Sequence, residues 1–449
     1  MNRRVLMICY YYPPIGGIGS ERPFHVSRLL PEFGWEPVVV TPRIGTLFTI
    51  GAGAGMEEPP GITIRRTPNP DLSFRLKKAL GFDLSQRVES QLGGFAPHGE
   101  KPRGAKMRLL SAAKNWLEMP DRMIDWYPFV VREGLKAARG TRFDALYSYC
   151  VPYTPALAAA TISRRTGLPW LADLPDLWTR DFNYLRTGPA VNVDRMLERG
   201  TLARAGAVVT YAESCSTVLR RAYPALAGRL HEIPNAFDGE LFDSVEPVTE
   251  PFLNVVYAGT LYYPFQDPRP FLEALKMLRA EGADLSSFRL QYMGRDGELL
   301  MKLASDFGVS DLVVNFGQLY YAEALARQKG ASALLYVQWE PAGETSASGK
   351  LMQYLGARRP VLAVVPTPGE ADRLLEKCGA GVAVREPEEI RRVLGGWLDE
   401  HRTSGRPTYR GAEGAIERFS YRSACGKIAG ILDELSGRAG GSGAKGGER

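Results

Sequence analysis

The sequence predicts an α/β protein with two doubly wound parallel sheets, each in its own domain. Its 449 residues are too many for one hydrophobic core and fit two or three domains. Short apolar runs alternate with helical patterns, which is typical of parallel sheets with right-handed crossovers. A polar, proline-punctuated stretch at 243–251 interrupts the alternation and marks the predicted domain boundary.

The predicted first domain covers residues 1–245. Its buried strands are expected at 5–10, 37–41, 145–148, 169–173 and 207–211. Helical patterns fall at 22–33 and 154–166, and a third helix should end near residue 205. A basic, helical stretch at about 71–128 does not fit the alternation and is interpreted as an insertion.

The predicted second domain, 246–412, repeats the same pattern. Strands are expected at 254–258, 289–293, 313–316, 333–336 and 361–365, with helices at 271–281, 298–307, 321–329 and 350–356. A C-terminal helix at 413–436 is expected to pack back toward the first domain. Residues 437–449 are mostly small or charged and cannot bury a core, so we predict that they are disordered.

Composition indicates a globular protein, with 45% apolar and 24% charged residues. The net charge of +6 is mild and compatible with an anionic ligand or membrane surface. The five cysteines are widely spaced, which favours reduced thiols and a cytoplasmic location. No apolar run is long enough for a transmembrane helix, and the short run at 5–12 favours a buried strand over a signal peptide.

Several classes of site lack a signal in the sequence. The four histidines are far apart, and no HxH, HExxH or GxSxG motif occurs, so we predict no metal site and no required cofactor. The aromatic and basic motifs of nucleic-acid-binding modules are missing, so no nucleic-acid partner is expected. The first glycine loop lacks dinucleotide spacing and a following acidic residue, which argues against a nicotinamide cofactor.

The most informative segment runs from Glu344 to Gly356. Ser346 and Ser348 are both good N-caps, so a helix is expected to start about there, which places Lys350 in its first turn. A cation there opposes the helix dipole unless an anion binds at the helix start. Gln353 follows one turn later on the same face and could reach ribose hydroxyls. An ordinary surface lysine is the alternative interpretation.

Other loops follow predicted strands on the same side of each sheet. In the first domain, Gly16, Gly17 and Gly19 stand between a strand and a helix, where backbone can approach a phosphate or sugar. A tight strand–helix turn is the alternative there. In the second domain, strand-end loops contain Gly259-Thr260 and Arg295, and a solvated arginine is equally compatible with the pattern.

Two carboxylates, Asp173 and Asp176, emerge at the end of the strand predicted at 169–173. A doubly wound domain places substrate contacts at this position. Asp176 is either a substrate contact or the cap of the next helix, whereas Asp173 is interpreted as structural.

A basic segment contains Lys101, Arg103, Lys106, Arg108 and Lys114, with apolar residues at helical spacing beside them. Such a helix could lie peripherally on an anionic membrane. A helix that covers the sheet and exposes its charged face is the commoner alternative.

Together these motifs resemble the retaining, family-four glycosyltransferases of the GT-B fold (glycosyl transferases group 1), over nearly the whole chain. Residues 349–357, GKLMQYLGA, are similar to the family's Gly-Lys-Leu-x-Glu-Tyr-Leu-Ala-Ala segment, and 233–238 resemble its Ile-Pro-Asn-Gly-x-Asp turn. Residues 120–122, 143–144 and 173–178 resemble a branch that acts in surface polysaccharide and glycolipid synthesis.

This resemblance implies transfer of a sugar from a UDP- or GDP-linked donor to a sugar, lipid-linked or small-molecule acceptor. It implies retention of configuration without a required metal. Lys350 and Asp176 become the candidate catalytic residues, and the donor would contact the positions Glu344, Ser348, Gly349, Lys350, Gln353, Gly259, Thr260 and Arg295. The loop of Gly16, Gly17 and Gly19 is similar to the family's acceptor-side loop.

The chain departs from the family pattern at several positions. The family's paired glutamates correspond to Thr345 and Gln353, and a basic pair after the first strand of the second domain corresponds to Thr260 and roughly Phe265. Two other functions therefore stay open: a catalytically inactive binding or partner subunit, and a sugar-nucleotide epimerase.

Overall fold

The computed structural model describes residues 3–15, 18–43, 57–72, 116–181, 184, 186–295, 297–339 and 349–441. The chain forms two compact units. Unit 1 comprises Met1–Ile233 and Gly426–Arg449, and unit 2 comprises Pro234–Cys425. The boundary predicted at residue 245 therefore falls inside unit 2. Most of the insertion predicted at 71–128 lies outside the described residues.

Unit 1 contains a seven-stranded parallel sheet in the order β3-β2-β1-β4-β5-β6-β7. Its strands are β1 (Arg3–Cys9), β2 (Trp35–Pro42), β3 (Thr63–Thr67), β4 (Ala145–Tyr149), β5 (Trp170–Leu174), β6 (Ala207–Thr210) and β7 (Leu230–Glu232). The central strands are buried on both faces, as expected when helices cover both sides of a parallel sheet.

The helices of unit 1 connect these strands. They are α1 (Ile18–Leu29), α2 (Tyr127–Gly140), α3 (Thr154–Thr166), α4 (Pro189–Leu202) and α5 (Glu213–Ala222). The sequence predicted α3 at its observed bounds. Gly167, in the left-handed region at φ 75°, ends it. Short 3₁₀ helices occupy Leu30–Phe33, Ile124–Trp126 and Pro224–Arg229.

Unit 2 contains a six-stranded parallel sheet in the order β10-β9-β8-β11-β12-β13. Its strands are β8 (Leu253–Ala258), β9 (Phe288–Met293), β10 (Val313–Gly317), β11 (Ala333–Val337), β12 (Val361–Val364) and β13 (Gly381–Val384). Its helices are α6 (Gly239–Ser244), α7 (Arg269–Ala280), α8 (Gly297–Asp306), α9 (Tyr321–Gly330), α10 (Gly349–Ala357), α11 (Glu370–Cys378), α12 (Pro387–Ser404) and α13 (Glu413–Ile416).

The prediction of one continuous helix over 413–436 is wrong. The helix α13 is followed by a 3₁₀ turn at Glu417–Phe419, and a new helix, α14, runs from Tyr421 to Gly441. The break occurs because Phe237 bonds to the backbone on both sides of Ser420. Its N–H donates to Phe419 O at 3.0 Å, and its carbonyl accepts from Tyr421 N at 2.9 Å.

The C-terminal part of α14 belongs to unit 1. Asp433 accepts hydrogen bonds from Arg3 Nη1 at 2.7 Å and from Trp35 Nε1 at 2.8 Å, which fastens this helix to β1 and β2. Helix α14 extends to Gly441, into the stretch 437–449 for which the sequence predicted disorder.

Candidate functional site

The two sheets each contain a point where the chain reverses its direction across the sheet. In unit 2 the chain moves from β8 outward to β9 and β10, then returns to place β11 on the other side of β8. In open parallel sheets, the carboxyl ends of the two strands that flank such a reversal, here β8 and β11, are the expected position for a bound ligand. In unit 1 the same reversal lies between β1 and β4.

Lys350 lies at the reversal point of unit 2. The residue is in the first turn of α10, and its ammonium Nζ contacts the end of β8 and the loop that follows. It donates to Tyr257 Oη at 2.8 Å and to the Thr260 carbonyl at 2.6 Å. Tyr354, one turn later on α10, is fully buried and accepts a hydrogen bond from Ala258 N at 2.9 Å. These contacts fix the start of α10 against β8.

Gly259 makes this approach possible. Its φ of +108° is a conformation that side-chain-bearing residues rarely adopt. A Cβ at this position would lie 2.7 Å from Lys350 Cε. Gly294, after β9, is equally confined, because its Cβ would meet the Gly259 carbonyl oxygen at 2.2 Å. The strand-end loops predicted around Gly259 and Arg295 therefore pack against each other, and the first of them contacts the lysine.

The Lys350 ammonium lacks an anionic partner within the part of the chain that the structure describes. Both of its hydrogen-bond acceptors are neutral oxygens. Burial lowers the pKa of Lys350 to about 7, because the charged form has lost much of its hydration. The lysine also stands where a helix directs free N–H groups and the positive end of its dipole. An anion bound here would interact favourably with the ammonium, the free N–H groups and the helix dipole at the same time.

Gln353 lies on the same face of α10, one turn after Lys350. Its Nε2 donates to Tyr321 Oη at 3.0 Å, at the start of α9. Three other residues are predicted to contact the donor. Arg295 is exposed in the loop after β9, and Ser348 and Glu344 lie outside the described residues. Gly349 is the first described residue of α10, close to the expected helix start.

Sequence reasoning did not find Tyr257, whose hydroxyl accepts from the lysine. Tyr257 is buried at the end of β8, and its ring stacks on Tyr292 with centroids 5.5 Å apart. In the sequence it is one apolar residue in a buried strand. It lies 93 positions before Lys350, and no spacing rule connects the two.

In unit 1, Asp173 forms a buried ion pair. Its Oδ2 accepts from Arg22 Nε at 2.8 Å and from Tyr147 Oη at 2.6 Å. Arg22 also donates to the Ile233 carbonyl at 3.2 Å. The side chains of Arg22 and Asp173 are only 3% and 1% exposed. The pair connects α1 to the end of β5, which agrees with the structural interpretation of Asp173.

Asp176 follows β5 in an exposed turn. Helix α4 begins at Pro189, after Gly188, so Asp176 does not cap it. The capping alternative is therefore wrong, because Gly188 occupies the N-cap position of α4. The pKa of Asp176 is raised to about 6, chiefly because the surrounding protein removes part of the hydration of the carboxylate. The nearby Asp181 carboxylate adds a smaller increase.

Two buried carboxylates of α4 hold the segment after Asp176 in place. Asp194 accepts from Trp178 Nε1 at 3.0 Å and from Tyr184 Oη at 2.8 Å. Glu198, on the same helix face one turn later, bonds to Thr179 and accepts from Tyr223 Oη at 2.8 Å. A loop fixed at several points can hold a side chain such as Asp176 in a defined position.

The first glycine loop is only partly described. Gly16 and Gly17 lie outside the described residues, whereas Gly19 is in the first turn of α1, which begins at Ile18. The predicted start near residue 22 was therefore late. A Cβ on Gly19 would lie 3.0 Å from the ring of Tyr11, so the residue brings α1 close to the chain that leaves β1.

Within the described ranges, no group of three or more histidine, cysteine, aspartate or glutamate side chains could hold a metal ion. No described helix is long and apolar enough to cross a membrane. All five cysteines are buried free thiols. The basic residues 101–114 lie outside the described part, while Trp116 and Leu117 just after them are 52% and 72% exposed.

Comparison with known proteins identifies the fold. No family model and no curated protein sequence matches the chain. Among solved structures, HepE from Anabaena in complex with UDP matches 96% of this chain and 100% of its own, with a TM-score of 0.59 and 13% identity. A Rickettsia africae glycosyltransferase matches 97% and 98%, with a TM-score of 0.59 and 11% identity. Sucrose-phosphate synthase from Thermosynechococcus elongatus matches 98% of each chain, with a TM-score of 0.53 and 13% identity. The predicted fold, two Rossmann-like parallel-sheet domains of the GT-B type, is confirmed.

Proposed function

We propose that this chain is a glycosyltransferase that moves a sugar from a UDP- or GDP-linked donor to a hydroxyl of a sugar, lipid-linked or small-molecule acceptor, with retention of configuration. The observation that carries the proposal is the half-buried Lys350 ammonium, held by neutral oxygens at the reversal point of unit 2. A diphosphate supplies the anion that this position lacks. The shared fold with HepE, which was solved with UDP, supports the same assignment.

In the proposed reaction, the bond between the anomeric carbon and the diphosphate oxygen breaks as the acceptor oxygen bonds to that carbon from the same face. The acceptor's proton passes to an oxygen of the departing phosphate. Lys350 and the N–H groups at the start of α10 stabilise the negative charge that develops on the diphosphate. In some other enzymes a metal ion neutralises the charge of the leaving diphosphate. We propose that Lys350 and the start of α10 do so here and that no metal ion is required.

The donor is proposed to lie along one face of α10. Its diphosphate contacts Lys350 and the backbone of Gly349, and its ribose reaches Gln353 one turn later.

We further propose that Asp176 and the Gly16–Gly19 loop of unit 1 serve the acceptor. Asp176 lies exposed at the carboxyl end of β5, where its carboxylate can exchange hydrogen bonds with an acceptor hydroxyl. The basic segment around residues 101–114 is proposed to contact anionic membrane peripherally, which dependence of liposome co-sedimentation on anionic lipid would test.

Product analysis tests the proposed activity. The protein is incubated with UDP- and GDP-sugars, with and without EDTA and acceptor mixtures, and the nucleotides are separated by chromatography. Release of UDP or GDP that survives EDTA supports the proposal. An altered nucleotide-sugar formed without acceptor contradicts it in favour of an epimerase. Binding without release under every condition contradicts it in favour of a partner subunit that has lost turnover.

Donor affinity should depend on pH through Lys350. With a pKa near 7 in the free protein, the ammonium is charged below pH 7 and loses its proton above it. A bound diphosphate raises this pKa, so affinity should be steady below pH 7 and fall above it, by up to about tenfold per pH unit. A nucleotide-sugar keeps a constant charge in this range. The measurement is calorimetric titration from pH 6 to 8.5.

Lys350→Arg is the matched control for this titration, because a guanidinium stays charged throughout. The variant should show a flat pH profile wherever it still binds. A flat profile in the unsubstituted protein would contradict the assignment of the diphosphate to Lys350.

A further inference from the structure

Three aromatic side chains form a cluster at the carboxyl ends of β8 and β11, beside Lys350. The aromatic cluster consists of Tyr262 and Phe265, in the loop after β8, and Trp339, which follows β11. Trp339 stacks on Phe265 with ring centroids 5.2 Å apart and an interplanar angle of 21°. Tyr262 meets Trp339 edge to face at 5.1 Å. Trp339, on the loop after β11, therefore supports the Tyr262 ring, and Phe265 in turn supports Trp339.

Gln266 fastens this cluster to the sheet. Its side chain is 3% exposed. Its Oε1 accepts from Tyr262 N and from Tyr257 Oη, both at 3.2 Å, and its Nε2 donates to the Val337 carbonyl at 2.9 Å. One amide thus ties the loop that contains Tyr262 to the ends of both β8 and β11. The backbone of Tyr262 is therefore held by a residue that is itself bonded to two strand ends.

Tyr262 is nevertheless 47% exposed. A single exposed aromatic residue is ordinary on a protein surface. Here the exposed ring packs against Trp339, and its backbone N–H is held by a buried amide. The ring centroid lies 6.0 Å from the Lys350 ammonium. A group attached to a diphosphate at Lys350 would come within reach of this ring.

The two ends of the donor can be distinguished by their surroundings. Gln353 and Tyr321 lie toward α9, which follows β10. The aromatic cluster lies on loops after β8 and β11, next to the first turn of α10. Under the proposed function, the nucleoside extends along α10 to Gln353, so the sugar occupies the end of the diphosphate nearer the cluster.

We propose that the aromatic cluster is the donor-sugar subsite, with Tyr262 as the stacking surface for a neutral pyranose. This proposal rests on the proposed function. The C–H-rich face of a pyranose can pack on an aromatic ring in the way that another apolar group does. A hexuronate is disfavoured, because its carboxylate would face the electron-rich ring while Lys350 is engaged by the diphosphate.

The test compares ligands with and without the sugar. Affinities for UDP, UDP-glucose and UDP-glucuronate are measured by calorimetry on the unsubstituted protein, Tyr262→Ala and Tyr262→Phe, with the GDP series used if only guanine nucleotides bind. Tyr262→Ala should weaken UDP-glucose by about tenfold and leave UDP unchanged, as expected for one lost ring-face contact. Tyr262→Phe retains the ring and should bind like the unsubstituted protein.

The outcomes separate this proposal from the proposed function. Equal weakening of UDP and UDP-glucose would place the ring at the nucleoside and overturn the subsite. Unchanged binding of both, or tighter binding of UDP-glucuronate than UDP-glucose, would also overturn it. If the unsubstituted protein binds no nucleotide, the proposed function itself fails. Unchanged melting temperatures of the variants show that the comparison reports binding rather than folding.

Discussion

Lys350→Met should reduce kcat/KM for the donor by at least about 100-fold. A loss of this size is expected when one preorganised charge contact to the leaving group is removed. The variant should stay folded, because methionine keeps most of the volume of the lysine stem and tolerates irregular surroundings. The measurements are nucleotide release at saturating and subsaturating donor and the melting temperature of each protein.

The same substitution should alter stability in a pH-dependent way. A lysine whose pKa is lowered on folding destabilises the native state at low pH, because the unfolded chain binds a proton that the folded chain resists. This penalty is fully present below about pH 7 and disappears as the pH rises toward the unfolded value near 10.4. The free energy of unfolding of Lys350→Met, relative to that of the unsubstituted protein, should therefore be higher at pH 6 than at pH 9 by about 2–3 kcal/mol.

Lys302→Met is the matched control, since Lys302 is an exposed residue of α8. It should retain full activity and show no such pH dependence. Retained turnover in Lys350→Met, together with a stability difference that does not change with pH, would remove Lys350 from the site.

Asp173→Ala should destabilise unit 1 by about 3–5 kcal/mol, the range found when one partner of a buried ion pair is removed. The carboxylate is 1% exposed and compensates Arg22, and it also accepts from Tyr147 Oη. Loss of the carboxylate leaves a buried guanidinium without its main counter-charge. Denaturant unfolding followed by fluorescence measures the change.

An exposed pair of the same chemistry provides the control for this prediction. Asp311 lies 2.7 Å from Arg279, but their side chains are 63% and 40% exposed. Asp311→Ala should cost less than about 1 kcal/mol, because water screens both charges. If the two substitutions had equal effects, the buried pair would not be the link that holds α1 to β5.

The sequence predicted most of the strands, since buried parallel strands appear as short apolar runs. It missed β3, because this edge strand contains half-buried Arg65 and Arg66 and so lacks an apolar run. It also missed β7, which has only three residues at the other edge, and β13, which is an edge strand of the second sheet. Edge strands bury little surface, and their composition carries a correspondingly weak signal.

The candidate site was predictable only in its local part. A helix start with Lys350 and Gln353 on one face follows from capping and helical spacing. The partners of these residues do not. Tyr257 and the supporting amide of Gln266 contact the site through tertiary packing, at sequence separations that no local pattern records. The order of strands, which places Lys350 at the reversal point, likewise becomes visible only in the sheet.

A crystal structure of the protein with bound UDP tests the central claim most directly. The proposed site predicts a diphosphate oxygen within about 3 Å of Lys350 Nζ, with the ribose beside Gln353. The ammonium should then turn from the Thr260 carbonyl toward the diphosphate. A diphosphate bound elsewhere in unit 2, with Lys350 still bonded to Tyr257 and Thr260, would contradict the claim that this lysine holds the donor.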